Sequence, residues 1–132
     1  MPKIPLVAIV DDDEAVREAL CELLMVAGLE CTAFDGAPAF LAAKPDAFDG
    51  LITDIRMPGM TGIELLERMR TVTPDLPAIV LTSVTDAHDR RRALELGVCA
   101  WLAKPVADDV LLDHLKEAMG TDGYLWPEDD LG

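Results

Sequence analysis

Positive charge is scarce in this chain. Over 132 residues, 11 lysines and arginines face 25 aspartates and glutamates, a formal net charge of −14. Binding to nucleic acid rests on basic side chains that neutralise phosphates, so none is expected here. Anionic membrane surfaces repel the chain for the same reason. Cysteine is also rare. Cys21, Cys31 and Cys99 are odd in number and scattered, without metal or redox spacing. They read as reduced, small apolar residues of a cytoplasmic protein. The two histidines, His88 and His114, lie among charges on helical stretches and read as surface residues, not ligands or phosphocarriers. No apolar run approaches the ~20 residues that cross a bilayer. The first such run ends at Asp11-Asp12-Asp13, so no secretory signal is expected.

What is present is a regular alternation. The 51% hydrophobic content suffices for one core. The continuous apolar, β-branched run at 6–10 reads as a strand buried on both faces, and 50–53, 78–81 and 100–103 read as further strands. A less apolar strand at 30–34 belongs nearer an edge. Helical spacing follows each strand. The first helix carries Ala15, Val16, Ala19, Leu20, Leu23, Leu24 and Ala27 on one stripe, with Asp13 as its cap and Gly28 as its stop. The second, 37–44, turns Phe40 and Leu41 inward and stops before Pro45. The third opens at Thr61 or Gly62 with Ile63, Leu66 and Met69 inward, and the fifth, 108–119, uses Leu111, Leu112 and Leu115. The fourth, 87–96, differs: it carries Arg90-Arg91-Arg92, with Ala93, Leu94 and Leu96 late. It reads either as a solvated face or as a weakly anchored helix that shifts and meets a partner. Five β–α units in strict alternation give an α/β fold with a parallel sheet. One domain spans 1–119. An acidic tail, 120–132, follows, in which Tyr124, Leu125 and Trp126 either dock or hang loose.

Polar residues gather where the apolar runs end. Asp11 and Asp12 close the first, Asp54 the third, Thr82 the fourth, and Lys104-Pro105 follows the fifth. In an open parallel sheet, the crevice beyond the strand C-termini binds ligands. Carboxylates, a hydroxyl and an ammonium in that crevice suit a divalent metal and a phosphoryl group. At about 4 Å and an effective dielectric near 20, each carboxylate pair costs roughly 4 kcal/mol. A divalent cation offsets that cost; without one, a carboxyl pKa should rise. Asp11-x-Asp13 does not start an EF-hand loop, since Val16 stands where that loop needs Gly. Met57, Met60 and Met69 show no soft-metal spacing.

Four pieces in order carry a resemblance: Val10-Asp11-Asp12-Asp13-Glu14, the loop from Asp54 through Arg56-Met57-Pro58-Gly59 to Gly62, Leu81-Thr82-Ser83, and Lys104-Pro105. Together they resemble the receiver domain of bacterial two-component response regulators, closest to the nitrogen-fixation regulator type. The resemblance implies a doubly wound five-stranded sheet of order 2-1-3-4-5, a flavodoxin-like, CheY-like three-layer sandwich. It implies that Asp54 accepts a phosphoryl group, since a carboxylate can act as nucleophile. It implies Mg2+, or Mn2+ in its place, touched by Asp12, Asp54 and the backbone carbonyl of Arg56, with Asp11 acting mostly through water. Lys104 would pair first with Asp54 and then with a phosphoryl oxygen. The Lys104–Pro105 bond would be cis. Thr82 would hydrogen-bond the phosphoryl group, and the small Ser83 would leave it room.

Trp101 stands at the family's switch aromatic, usually Tyr or Phe. Its size leaves a fixed, partly exposed ring as the alternative. Val106 replaces a common Phe, and Arg56 and Val84 stand where side chains tune water access to the phosphoryl group. The implied partners are a sensor histidine kinase or phosphotransfer protein, with a homodimer through the fourth-helix face as the oligomer. The protein would act as a switch, not a metabolic enzyme. Two rivals are a phosphatase working through an aspartyl phosphate and an unphosphorylated interaction module. The first would need an acid at position 56, which is Arg. The second has no need of such crowded charge. Regulators of this type commonly carry a DNA-binding effector after the receiver; no such motif follows the fifth helix here.

Overall fold

The computed structural model describes residues 3–84, 86–120, 123, 124 and 126. Five strands, β1 (Leu6–Val10), β2 (Glu30–Phe34), β3 (Gly50–Thr53), β4 (Ala78–Thr82) and β5 (Ala100–Ala103), form one parallel sheet of order β2-β1-β3-β4-β5. Between and after them run α1 (Glu14–Val26), α2 (Ala37–Ala42), α3 (Gly62–Val72), α4 (Ala87–Glu95) and α5 (Asp108–Met119). The central strands are apolar on both faces because helices cover both. β3 and β4 are buried along their whole length, while β2, at the edge, has no fully buried residue.

Two apolar cores result, one on each side of the sheet. One gathers Val10, Phe40, Leu51, Ile55, Leu65, Leu66, Met69 and Val80 against α2, α3 and α4. The other gathers Val7, Ile9, Leu20, Leu24, Ile52, Leu111 and Leu115 against α1 and α5. Helix ends follow the capping signals. Asp13 accepts hydrogen bonds from the Ala15 and Val16 N–H groups at the start of α1, and Thr61 and Glu64 form a reciprocal capping box on α3.

Several expectations need correction. The second helix does not run over 37–44: it ends at Ala42, and Pro45–Ala47 forms a separate 3-10 turn. Pro45 cannot donate to a continuing helix, and the extended ψ of 172° at Ala43 already breaks it. In α1 Leu20 and Leu24 are buried, Val16 and Leu23 pack half-buried on the same core, and Ala15 and Ala19 are exposed. In α4 Leu94 points outward at 49% exposure, and α4 itself ends at Glu95, leaving Leu96 as its C-cap. Cys21 and Cys31 are half-buried. Burial, helped by the neighbouring Cys21 thiol, pushes the Cys31 thiol up to about 12. It therefore packs as a neutral group.

The described part of the tail is docked. Lys3 N–H donates to the Gly123 carbonyl. The Tyr124 hydroxyl bonds Asp49 at 3.1 Å, and Lys3 pairs with the same carboxylate at 3.0 Å. Trp126 is 3% exposed, joins the α1–α5 core, and donates its indole N–H to the Gly120 carbonyl at 3.0 Å. Gly120 and Gly123 hold φ of 76° and 83°, a region that favours glycine; Leu125 and residues 127–132 lie outside the described residues. Trp126→Ala should lower unfolding free energy by about 3 kcal/mol, as for other buried aromatics. Urea denaturation checks this; an unchanged midpoint would mean that the tail contributes nothing.

Candidate functional site

Strand register assembles the site. Val10 lies opposite Thr53, so the next residues, Asp11 and Asp54, emerge side by side. The ladder continues beyond the strands: Asp54 N–H donates to the Val10 carbonyl at 3.0 Å, and Asp11 N–H to the Phe34 carbonyl at 3.2 Å. On the other side Thr82 pairs with Ala103, and Lys104 N–H donates to the Thr82 carbonyl at 2.9 Å. The Lys104–Pro105 peptide bond is cis.

The Lys104 ammonium sits between two acids. Its Nζ lies 2.9 Å from Asp11 Oδ2 and 2.9 Å from Asp54 Oδ2. Asp11 is 2% exposed and Asp54 7% exposed, whereas Asp12 is exposed. Carboxylate oxygens of Asp11, Asp12 and Asp54 lie within 4.8 Å of one another. The other Asp54 oxygen, Oδ1, accepts the Ile55 N–H at 2.6 Å. Asp11 Oδ1 accepts the Asp13 N–H at 2.9 Å.

The sequence reading paired Lys104 with Asp54 alone, and the structure adds Asp11. It also adds Arg17, one turn into α1, which donates to the Asp11 carbonyl at 2.8 Å. No motif marks an arginine at that spacing. Gly62 is a further addition. Its N–H donates to the Ile55 carbonyl at 2.9 Å, and a Cβ there would collide with the Asp54 carbonyl oxygen and Ile55 Cα. This close approach lets the start of α3 press against the strand end that presents Asp54.

Thr82 is fully buried, and its Oγ1 accepts the Val84 N–H at 3.2 Å. Its hydroxyl proton therefore remains free to donate. Trp101 is half-buried and packs on the core that holds Ala93 and Leu96. Val106 is half-buried against the α1–α5 core, and Arg56 is exposed.

Electrostatics follow from burial. Loss of solvent raises the Asp11 carboxyl above the usual 3.8, and hydrogen bonds from Lys104 and Asp13 offset only part of that. Burial also works against the Lys104 ammonium, yet its hydrogen bonds to Asp11 and Asp54 outweigh it and hold the ammonium above 10.5. Three carboxyl groups and one ammonium thus share the cluster.

Comparison with known proteins agrees with this geometry. The Response regulator receiver domain profile matches residues 7–116. The chain belongs to that family. It is similar to the transcriptional regulatory protein FixJ of Bradyrhizobium diazoefficiens, with 40% identity over 112 residues, which are 84% of this chain and 55% of that protein. The DNA-binding transcriptional regulator NtrC of Escherichia coli is 40% identical over 115 residues, 86% of this chain and 24% of its own. Among solved structures, a CheY-like receiver from Methanospirillum hungatei superposes with a TM-score of 0.85 at 30% identity, covering 89% of this chain and 94% of the other. The resemblance to the nitrogen-fixation type and the doubly wound fold are thus both shown. The chain spans about half the length of FixJ. Receivers of response regulators are signalling switches that partner with histidine kinases. Among the described residues, no helix is long and apolar enough to cross a membrane.

Two outcomes follow from the site's packing and charge. Gly62→Ala should destabilise the fold by about 2 kcal/mol, since backbone cannot yield to the added methyl; an unchanged urea midpoint would contradict the close approach. The Asp11 carboxyl has a higher pKa folded than unfolded, so its favourable contribution is complete below 3.8 and fades as pH rises through the folded value. Without divalent cations, the stability of Asp11→Asn relative to the parent should therefore increase as pH rises above 3.8. Urea titrations at several pH values read this difference, and the opposite trend would reject the sign.

Proposed function

We propose that Asp54 is the phosphoacceptor of this receiver and takes its phosphoryl group from the phosphohistidine of a sensor kinase or a phosphotransfer protein. The observation that carries this is one ammonium bridging two buried carboxylates beside an exposed third, at the open end of a parallel sheet. The donor set fits Mg2+, with Mn2+ as a substitute. It offers three hard carboxylates, one of them exposed enough to leave water in place. Asp11, Asp12 and Asp54 would hold it, with the Arg56 backbone carbonyl. When bound, the cation supplies positive charge that offsets carboxylate repulsion and the charge on transferring oxygens.

In the transfer, an oxygen of Asp54 forms the bond to phosphorus. The phosphorus–nitrogen bond of the donor breaks, and its electron pair stays on the imidazole. Lys104 turns from the carboxylates to the phosphoryl oxygens, where a fixed ammonium opposes the developing charge. Thr82 donates its free hydroxyl proton to another of these oxygens. As it moves, it vacates space beside Trp101, which serves as the switch aromatic. Arg56 at the second position after Asp54 favours transfer over turnover, because a phosphatase of this type needs an acid there.

Phosphorylation then biases the face made by α4, β5 and α5 between two arrangements, a population shift driven by local charge. That face would bind the downstream target or a second copy of the chain. The receiver occupies residues 1–119, with 120–132 as an acidic extension. The setting is the cytoplasm, where kinases of this kind release their phosphoryl groups.

Asp54→Asn should abolish the Mg2+-dependent change in tryptophan fluorescence caused by acetyl phosphate or beryllofluoride, while a full response would reject the assignment. Asp12→Ala should weaken Mg2+ binding at least about tenfold and remove the rise in urea midpoint that Mg2+ gives the parent. Unchanged affinity would move the ligand role elsewhere.

A further inference from the structure

We infer that Arg56 is a charge latch on α4: its guanidinium holds the start of that helix through Asp86 and Asp89 while Asp54 is unmodified, and exchanges both for phosphoryl oxygens once Asp54 is phosphorylated. This rests on Asp54 being the phosphoacceptor.

The anchorage of α4 is the starting point. Of its residues Ala87–Glu95, only Ala93 is buried. Apolar burial therefore contributes little, and charge contacts matter more. At its C-terminal half, Arg92 reaches Glu67 of α3 at 3.1 Å. At its start, Arg56 Nη2 lies 3.9 Å from Asp86 Oδ2 and 3.7 Å from Asp89 Oδ2. Asp86 is also the N-cap, accepting the His88 and Asp89 N–H groups at 2.8 and 3.1 Å. One guanidinium thus ties the loop after Asp54 to the capping residue and first turn of α4.

Arg56 is two residues from Asp54, about 7 Å along the backbone, so its long side chain can reach either charge. The contacts to Asp86 and Asp89 are long, and the Arg56 side chain is 64% exposed. Such pairs are weak, as a releasable tie must be. A phosphoryl group carries nearly twice the charge of a carboxylate and offers three strong acceptors. A guanidinium fork matches those acceptors in pairs. Loss of the tie frees the first turn of α4, the end next to Thr82 and its moving hydroxyl.

Amide hydrogen exchange on the full chain with Mg2+ tests the latch. In the parent, beryllofluoride should speed exchange in α4 about fivefold, the scale of two exposed ion pairs. Arg56→Gln should show that faster exchange without beryllofluoride and gain little more from it. Asp89→Asn should shift exchange in the same direction by a smaller factor, and Arg56→Lys should restore much of the parent's response. High salt should loosen α4 in the unmodified parent and not in Arg56→Gln. Parent-like exchange in unmodified Arg56→Gln, or a full beryllofluoride response in that variant, would overturn the latch. Fluorine NMR of bound beryllofluoride separates the two readings. Absence of binding in the parent removes both; binding with an unaltered α4 in Arg56→Gln removes the latch alone.

Discussion

The site depends on one contact: the Lys104 ammonium shared between Asp11 and Asp54 at 2.9 Å each. Two carboxylates that are nearly shut off from solvent would repel each other and draw in protons. A fixed cation between them offsets that repulsion, and in the proposed reaction one of the two, Asp54, attacks phosphorus. The sheet exists, in this sense, to hold that contact. Asp11 follows β1, Asp54 follows β3 and Lys104 follows β5. Parallel pairing brings all three to one end.

The backbone around this contact is closely packed. Gly62 has no room for a methyl because α3 must start against the Asp54 carbonyl. Arg17 fixes the Asp11 carbonyl from α1, and the Ile55 N–H fixes the second Asp54 oxygen. The surroundings are built differently. Helix α4 buries a single residue and relies on Arg92 and Arg56 for its ties. A rigid centre beside a loosely tied helix is the arrangement a switch requires, because the charge event is local and the response must travel.

Much of this was legible in the sequence. Apolar runs that end in Asp, Thr and Lys mark both the strands and the end of the sheet that matters, and the strict alternation marks the parallel topology. The Asp13 cap follows from residue type. What escaped had physical reasons. The early end of α2 at Ala42 depends on Ala43 turning extended, which Pro45 alone does not locate. The sharing of Lys104 with Asp11 is a matter of distance across 93 residues. Arg17 has no motif, and the exclusion at Gly62 appears only when α3 is placed against β3. The sequence left open whether Tyr124 and Trp126 dock; the burial of Trp126 and the Tyr124 hydrogen bond to Asp49 decide it.

The central claim is that a single carboxylate in this cluster takes the phosphoryl group. Peptide mass spectrometry after incubation with a small-molecule phosphoryl donor and Mg2+, with acid quench to preserve the acyl phosphate, tests it most directly. The account predicts one phosphoryl adduct per chain, on the peptide that contains Asp54. An adduct on Asp11, Asp12 or a histidine, or no adduct at saturating donor and Mg2+, would contradict it.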